Sequence, residues 1–181
     1  GHTQLDEAQR EIHQHMSSAL GSTREMLDAL LSISKLEAGA ITPQPRPFLI
    51  RSVLNKLEPE LAPTADEKGL VFRTRESIAA AHADPLIVEL ILRNLVANAI
   101  RYTENGGLLV ASRDRGDSLS IEVWDTGAGI APQKQEEIFK AFHQLDNPER
   151  DSRKGFGLGL AIAQGLAKTI ESEIEVKSTV G

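Results

Sequence analysis

The sequence predicts an α+β protein: a two-layer α/β sandwich preceded by a long amphipathic helix. Three observations predict it. Residues 3–38 contain no proline and one glycine, with apolar side chains every three or four positions. PQPRP at 43–47 then interrupts that pattern. Behind it, short apolar runs of strand character alternate with helical stretches to the end of the 181-residue chain, which is long enough to bury a real core.

The elements follow in order. Ile12, Met16, Ala19, Thr23, Met26, Leu30 and Ile33 form an a/d seam over three heptads. Leu20, Leu27 and Leu31 widen it beyond a two-stranded seam, so the helix requires a partner helix. Gly39 is the expected C-cap. Phe48 to Ile50 reads as a short strand, and Val53 to Lys68 as a helix kinked or broken by Pro59 and Pro63. Leu70 to Arg75 reads as a strand. Asp84-Pro85 places an N-cap and a first-turn proline ahead of a helix running to Tyr102. NGG at 105–107 is a turn, and LLVASRDR and SLSIEVWD are strands joined near Gly116. A loop-rich stretch from Gly127 to Gly157, a helix from Leu158 to Ile170 and a strand ESEIEVKS close the chain. The sheet is expected to be mostly antiparallel or mixed. Three regions result: a helix over 1–40, a stiff linker over 41–47 and a globular domain over 48–181, ending at STVG without a terminating element.

Composition narrows the function. Twenty basic against 26 acidic residues give −6, which argues against a nucleic-acid footprint. The absence of cysteine excludes disulfides and thiolate metal sites and fits a cytoplasmic location. No apolar run approaches a membrane span of roughly 18 residues, so any membrane attachment lies in other regions. The five histidines show no zinc-type spacing on one element.

Three stretches could carry chemistry. Asn94 and Asn98 sit one helical turn apart, with Arg101 and Tyr102 following on the same side. Asparagine is a poor helix former. The pair is either exposed and capped, or turns its carbonyl oxygens toward Mg²⁺, a hard cation that keeps several waters, with Arg101 near phosphate oxygens. Second, an apolar strand delivers Asp125 into Thr126-Gly127-Ala128-Gly129. A carboxylate there is an Asx-turn or a reader of an exocyclic amine, which adenine offers and guanine replaces with a repelled oxygen. Third, RKGFGLGLAI at 153–162 lacks the Walker spacing and the Rossmann fingerprint. What remains is a glycine run opening a helix, where free N–H groups and the positive helix end favour an anion.

Together and in order, these motifs resemble the ATP-binding catalytic domain of sensor histidine kinases, a fold shared with DNA gyrase, mismatch-repair ATPases and heat-shock chaperones. RNLVANAIRYT resembles the N box, WDTGAGI the first glycine box, EEIFKAFHQL (with Phe139 and Phe142) the F box, and GFGLGLAI the second glycine box. ISKLEAG at 33–39 is similar to the end of the family's second dimerisation helix, and LDNPERD to the lid wording of hybrid kinases. The resemblance implies binding of ATP with Mg²⁺ and, in a full-length protein, transfer of the γ-phosphate to a histidine. A homodimer through the N-terminal helix and a response-regulator receiver domain as partner, in cis or in trans, follow from it. It makes Asn98 the main Mg²⁺ ligand with Asn94 in support, and puts Arg101 and Tyr102 on phosphate and on sugar or ring. Asp125 would read adenine beside Gly127, Gly129 and Ile130. Gly155, Gly157 and Gly159, with Phe156, Leu158 and Leu160 between and after them, would wrap the triphosphate. Lys140, Arg150, Arg153 and Lys154 are lid-side candidates for phosphate contact.

Departures stand beside the resemblance. The phosphoacceptor run, a histidine followed by an acid, is absent, and the chain stops before the family's final strand. Phe156 stands where small or aliphatic residues are usual. Alternatives remain: a same-fold ATPase or serine kinase, which the missing glutamate base at position 94 disfavours, or an inactive dimerisation module, which the intact Asn94, Asn98, Asp125 and glycines disfavour.

Overall fold

The computed structural model describes residues 7–75, 78–143 and 156–180. It opens with helix α1 (Glu7–Glu37). The expected glycine stop is there: Gly39 takes φ +61, and the Gly39 and Ala40 amides donate to the carbonyls of Leu36 and Lys35. Most of the apolar seam is left uncovered by the described residues. Ile12, Met16, Leu20, Leu27 and Leu31 are all more than half exposed.

Strand β1 (Arg46–Leu49) leads directly into α2 (Ile50–Glu67), which is continuous. The break that Pro59 and Pro63 could cause does not occur. The two prolines stand four apart on the exposed side, so the carbonyls they leave without an amide partner face water, while Ile50, Val53, Leu54 and Leu57 bury the other side. Strand β2 (Val71–Thr74) follows, and then β3 (Ala80–Ala83), which pairs antiparallel with β1. Sequence pattern alone does not reveal β3, because AAHA contains no β-branched or aromatic residue.

Helix α3 (Pro85–Tyr102) starts as the sequence predicts, with Asp84 Oδ1 accepting from the amides of Leu86 and Ile87. Asp84 Oδ2 also accepts from the Gln44 amide at 2.9 Å, tying the linker to the helix start. That Gln44 bond, with the two helix amides and the Arg46 charge, holds the carboxyl of Asp84 below its ordinary range although burial opposes it. Strands β4 (Gly107–Asp114) and β5 (Leu119–Asp125) form a hairpin, and β2 joins β4 in parallel, giving a mixed sheet β2-β4-β5. Helix α4 (Gly159–Thr169) ends the regular structure.

The closing strand expected at 171–178 is a correction. Ile174 and Val176 are half-buried between exposed neighbours, so the period-two pattern is real, but no ladder forms among the described residues. The segment is held instead against the loop after β5. There the Ile130 amide donates to Ser178 Oγ at 2.8 Å, and Gln135 Nε2 donates to the carbonyls of Ile130 and Ser178.

Two apolar clusters meet on α3. Val88, Leu92, Val96 and Ile100 pack with α2, Leu108 and Val110. Ile87 and Ile91 pack with Ile162, Ala163 and Leu166 of α4, and Ile33, Leu36 and Phe156 close this second cluster. Gly165 makes room for α1: a Cβ there would stand 2.8 Å from Leu36 Cδ1.

Candidate functional site

Helix α3, the end of β5 and the start of α4 converge on one face. On α3 the helical period sets Asn94 and Asn98 on the flank turned toward α4. Asn94 Nδ2 donates to the Leu90 carbonyl at 2.8 Å, which fixes the amide and leaves its oxygen directed away from the helix. Opposite stands Gly159, the first residue of α4. A Cβ on Gly159 would lie 3.2 Å from Asn94 Oδ1, 3.2 Å from Asn98 Nδ2 and 3.6 Å from Asn98 Oδ1. The glycine therefore sets how closely α4 approaches the two amides. Leu158 precedes it with no side-chain cap, so the first amides of α4 are left for an anion.

The other end of the site is built by β5 and the end of α3. Asp125 closes β5, and its Oδ1 accepts from the Gly127 amide at 2.9 Å, the Asx-turn geometry foreseen as one of its two readings. The carboxylate remains exposed, so the turn fixes one oxygen without consuming the group. Gly127 must lack a side chain. Its Cβ would stand 2.7 Å from the Tyr102 carbonyl, 2.9 Å from Asp125 Oδ1 and 3.3 Å from Thr103 Oγ1. Gly129 has φ +73 and packs its Cα against the Thr179 carbonyl, and Ile130 follows in the bond to Ser178. Tyr102 is half-exposed at the end of α3, with Arg101 partly buried beside it.

The glycine run enters from a turn. Gly157 takes φ +69, its carbonyl accepts from the Phe142 amide at 3.0 Å, and a Cβ on it would stand 2.6 Å from the His143 carbonyl. Residues 143 and 157 are thus side by side, at the two ends of the segment 144–155. Arg150, Arg153, Lys154 and Gly155 lie in that segment and outside the described residues. Lys140 is exposed and pairs loosely with Glu137 at 3.8 Å. Phe156, the residue without a sequence rationale, packs into the second apolar cluster, Leu158 is buried there, and Leu160 is half-buried.

The described residues contain no group of three or more His, Asp or Glu able to hold a metal. A divalent cation here would therefore rest on amide oxygens, ligand phosphates and water, the donor set that suits Mg²⁺. Asn94 and Asn98, with one amide oxygen already turned outward, fit that set.

Two contributors escaped the sequence reading. Thr103 is fully buried with Oγ1 unpartnered. Lys68 Nζ donates to the carbonyls of Ile100 (2.7 Å), Arg101 (3.0 Å) and Thr103 (3.1 Å). The only available signal was Lys68-Gly69 at a helix end, which marks a stop and not a contact.

With this geometry, the family model described as histidine kinase-, DNA gyrase B- and HSP90-like ATPase matches residues 83–181. The chain belongs to this family. A sensor-like histidine kinase of Rhizobium meliloti is 35% identical over 173 residues, covering 94% of this chain and 32% of the relative. The circadian input-output histidine kinase CikA of Synechococcus elongatus is 32% identical over 182 residues, with 98% and 24% covered. Sensor protein GacS of Pseudomonas syringae is 37% identical over 177 residues, with 90% and 20% covered. The chain thus spans between a fifth and a third of these relatives. Among solved structures, full-length ShkA in complex with AMPPNP superposes with a TM-score of 0.77 at 29% identity, covering 92% of this chain and 35% of ShkA. The histidine kinase AdeS of Acinetobacter baumannii shares the fold at 22% identity and TM-score 0.76, over 99% of this chain and 82% of its own. The α+β class and the long leading helix agree with these structures. No helix among the described residues is long and apolar enough to cross a membrane.

Proposed function

We propose that the chain binds Mg·ATP between α3, the end of β5 and the start of α4, as the nucleotide-binding part of a cytoplasmic protein histidine kinase. The observation that carries this reading is the close approach of Gly159 to Asn94 and Asn98, which sets a glycine-opened helix start beside the two side-chain amides. Asp125 accepts the adenine amine, with Gly127 and Gly129 keeping the backbone clear of the ring. The first amides of α4 and the Gly157 turn hold phosphate oxygens, and Arg101 adds positive charge. Asn98, supported by Asn94, holds Mg²⁺, which when bound neutralises charge on the phosphates. Position 94 carries an amide that cannot take a proton from water, so the site positions a phosphoryl group for another acceptor. In the full-length protein that acceptor is an imidazole nitrogen on a dimerisation helix: the γ-phosphorus bonds to it as the bridging oxygen leaves with ADP.

The exposed seam of α1 supports a homodimer formed through that helix, and the motif resemblance implies a receiver domain as the onward partner. Calorimetric titration tests the reading: ATP is expected to bind in the presence of Mg²⁺ and much more weakly with the metal chelated. No heat of binding at millimolar ATP would overturn it.

A further inference from the structure

We infer that Lys68 is a positioning residue of the nucleotide site, acting through the end of α3. The inference rests on the nucleotide reading above. The last four carbonyls of a helix have no partner within it. At the end of α3 three of the four have one, and the fourth lies against Gly127. Ala99 O accepts from the Thr103 amide at 3.1 Å. Ile100 O and Arg101 O accept from Lys68 Nζ. Tyr102 O is pressed toward Gly127, 2.7 Å from where its Cβ would be. The third Lys68 bond reaches Thr103 O, just past the helix. An ammonium has three donors, and all three are used on backbone carbonyls although Asp66 and Glu67 stand beside it in sequence.

The other end of Lys68 is equally fixed. It is the C-cap of α2, its amide donates to Ala65 O, and Gly69 at φ +70 turns the chain away. Lys68 therefore ties the end of α2 to the end of α3, with positive charge at the negative helix terminus. What it holds is not remote from the site. Arg101 and Tyr102 are the last two residues of α3, and Tyr102 O and Thr103 Oγ1 both border Gly127, which in turn anchors Asp125 Oδ1. Without Lys68 two carbonyls of α3 lose their partners, the last turn frays, and the floor beneath Gly127 loosens.

The experiment compares wild type with Lys68→Met, which keeps the aliphatic stem. Binding of Mg·ATP is measured at 10 °C, far below melting, and amide hydrogen exchange is followed without nucleotide. The expected result is a Kd raised about tenfold, with exchange accelerated at residues 100–103 and unchanged in α4. Lys68→Gln, with two donors and no charge, is expected to fall between and carries the comparison if Lys68→Met folds poorly. A lower melting temperature with Kd unchanged at 10 °C would show a merely structural residue and overturn the inference, as would unaltered exchange at 100–103. Wild type that fails to bind ATP overturns the underlying nucleotide reading instead, and the exchange result then judges Lys68 by itself.

Discussion

Gly159→Ala separates stability from ligand binding at one atom. Gly159 opens α4 without a left-handed backbone, so alanine meets no conformational strain there. Alanine is favoured over glycine inside helices by about 1 kcal/mol and by less at the first turn. Against this stands the new methyl, 3.2 Å from Asn94 Oδ1 and from Asn98 Nδ2, which requires both amides to yield by a few tenths of an ångström. The two effects nearly cancel, and for a chain of this length a residual of about 1 kcal/mol moves the melting temperature by only about 2–4 °C. Binding has no such compensation. Losing one hydrogen bond or ligand contact to a charged group costs about 1.5–3 kcal/mol, a factor of roughly ten to a hundred in Kd. Calorimetric titration with Mg·ATP and a thermal melt on the same sample therefore give different answers: melting nearly unmoved, affinity down at least about tenfold. Unchanged affinity would refute the assignment of phosphate and ion to the gap between Gly159 and the two asparagines.

Three further outcomes are expected. Asp125→Asn replaces an acceptor by an amide able to offer a donor to a guanine oxygen, so selectivity for ATP over GTP should fall about tenfold in competition binding; an unchanged ratio counts against the adenine assignment. Asp84 has its carboxyl pKa lowered by folding, so its contribution is present above the unfolded value of about 3.9 and is lost as pH falls through the lower folded value. The advantage of wild type over Asp84→Asn should thus shrink as melting is followed from pH 6 to pH 3, and a constant difference would contradict the cap. Pro63→Ala, which restores an amide in the middle of α2, should stabilise the fold by about 1–2 kcal/mol after the entropy regained by the unfolded chain is set against it, read as a higher melting temperature.

What the sequence revealed depended on how local the physics was. The start of α3 was legible because Asp84-Pro85 acts within one turn, and the end of α1 because Gly39 needs only its own backbone. Asn94, Asn98, Asp125 and the glycines were legible as a set, since their order along the chain carries the pattern. The continuity of α2 was not: whether two prolines break a helix depends on which side faces water, and that is decided by packing. AAHA becomes strand β3 only because β1 lies beside it, whereas ESEIEVKS has strand alternation without a neighbouring strand among the described residues. Phe156 looked out of place in a phosphate-binding run and is explained by the cluster it enters from the side. Lys68 was invisible because its partners are more than 30 residues away and belong to the backbone.

Helix α3 has an apolar cluster on each side and belongs to both. Neither cluster can melt while leaving α3 in place for the other, so heat should produce one transition rather than two, and amide exchange should be slowest in the middle of α3. Asn94 and Asn98 ride on that slowest-exchanging segment, and Gly157 on a turn between Phe156 and Leu158 of the second cluster. Both halves of the site, the amide oxygens on α3 and the backbone N–H groups that open α4, should therefore open only when the whole domain unfolds.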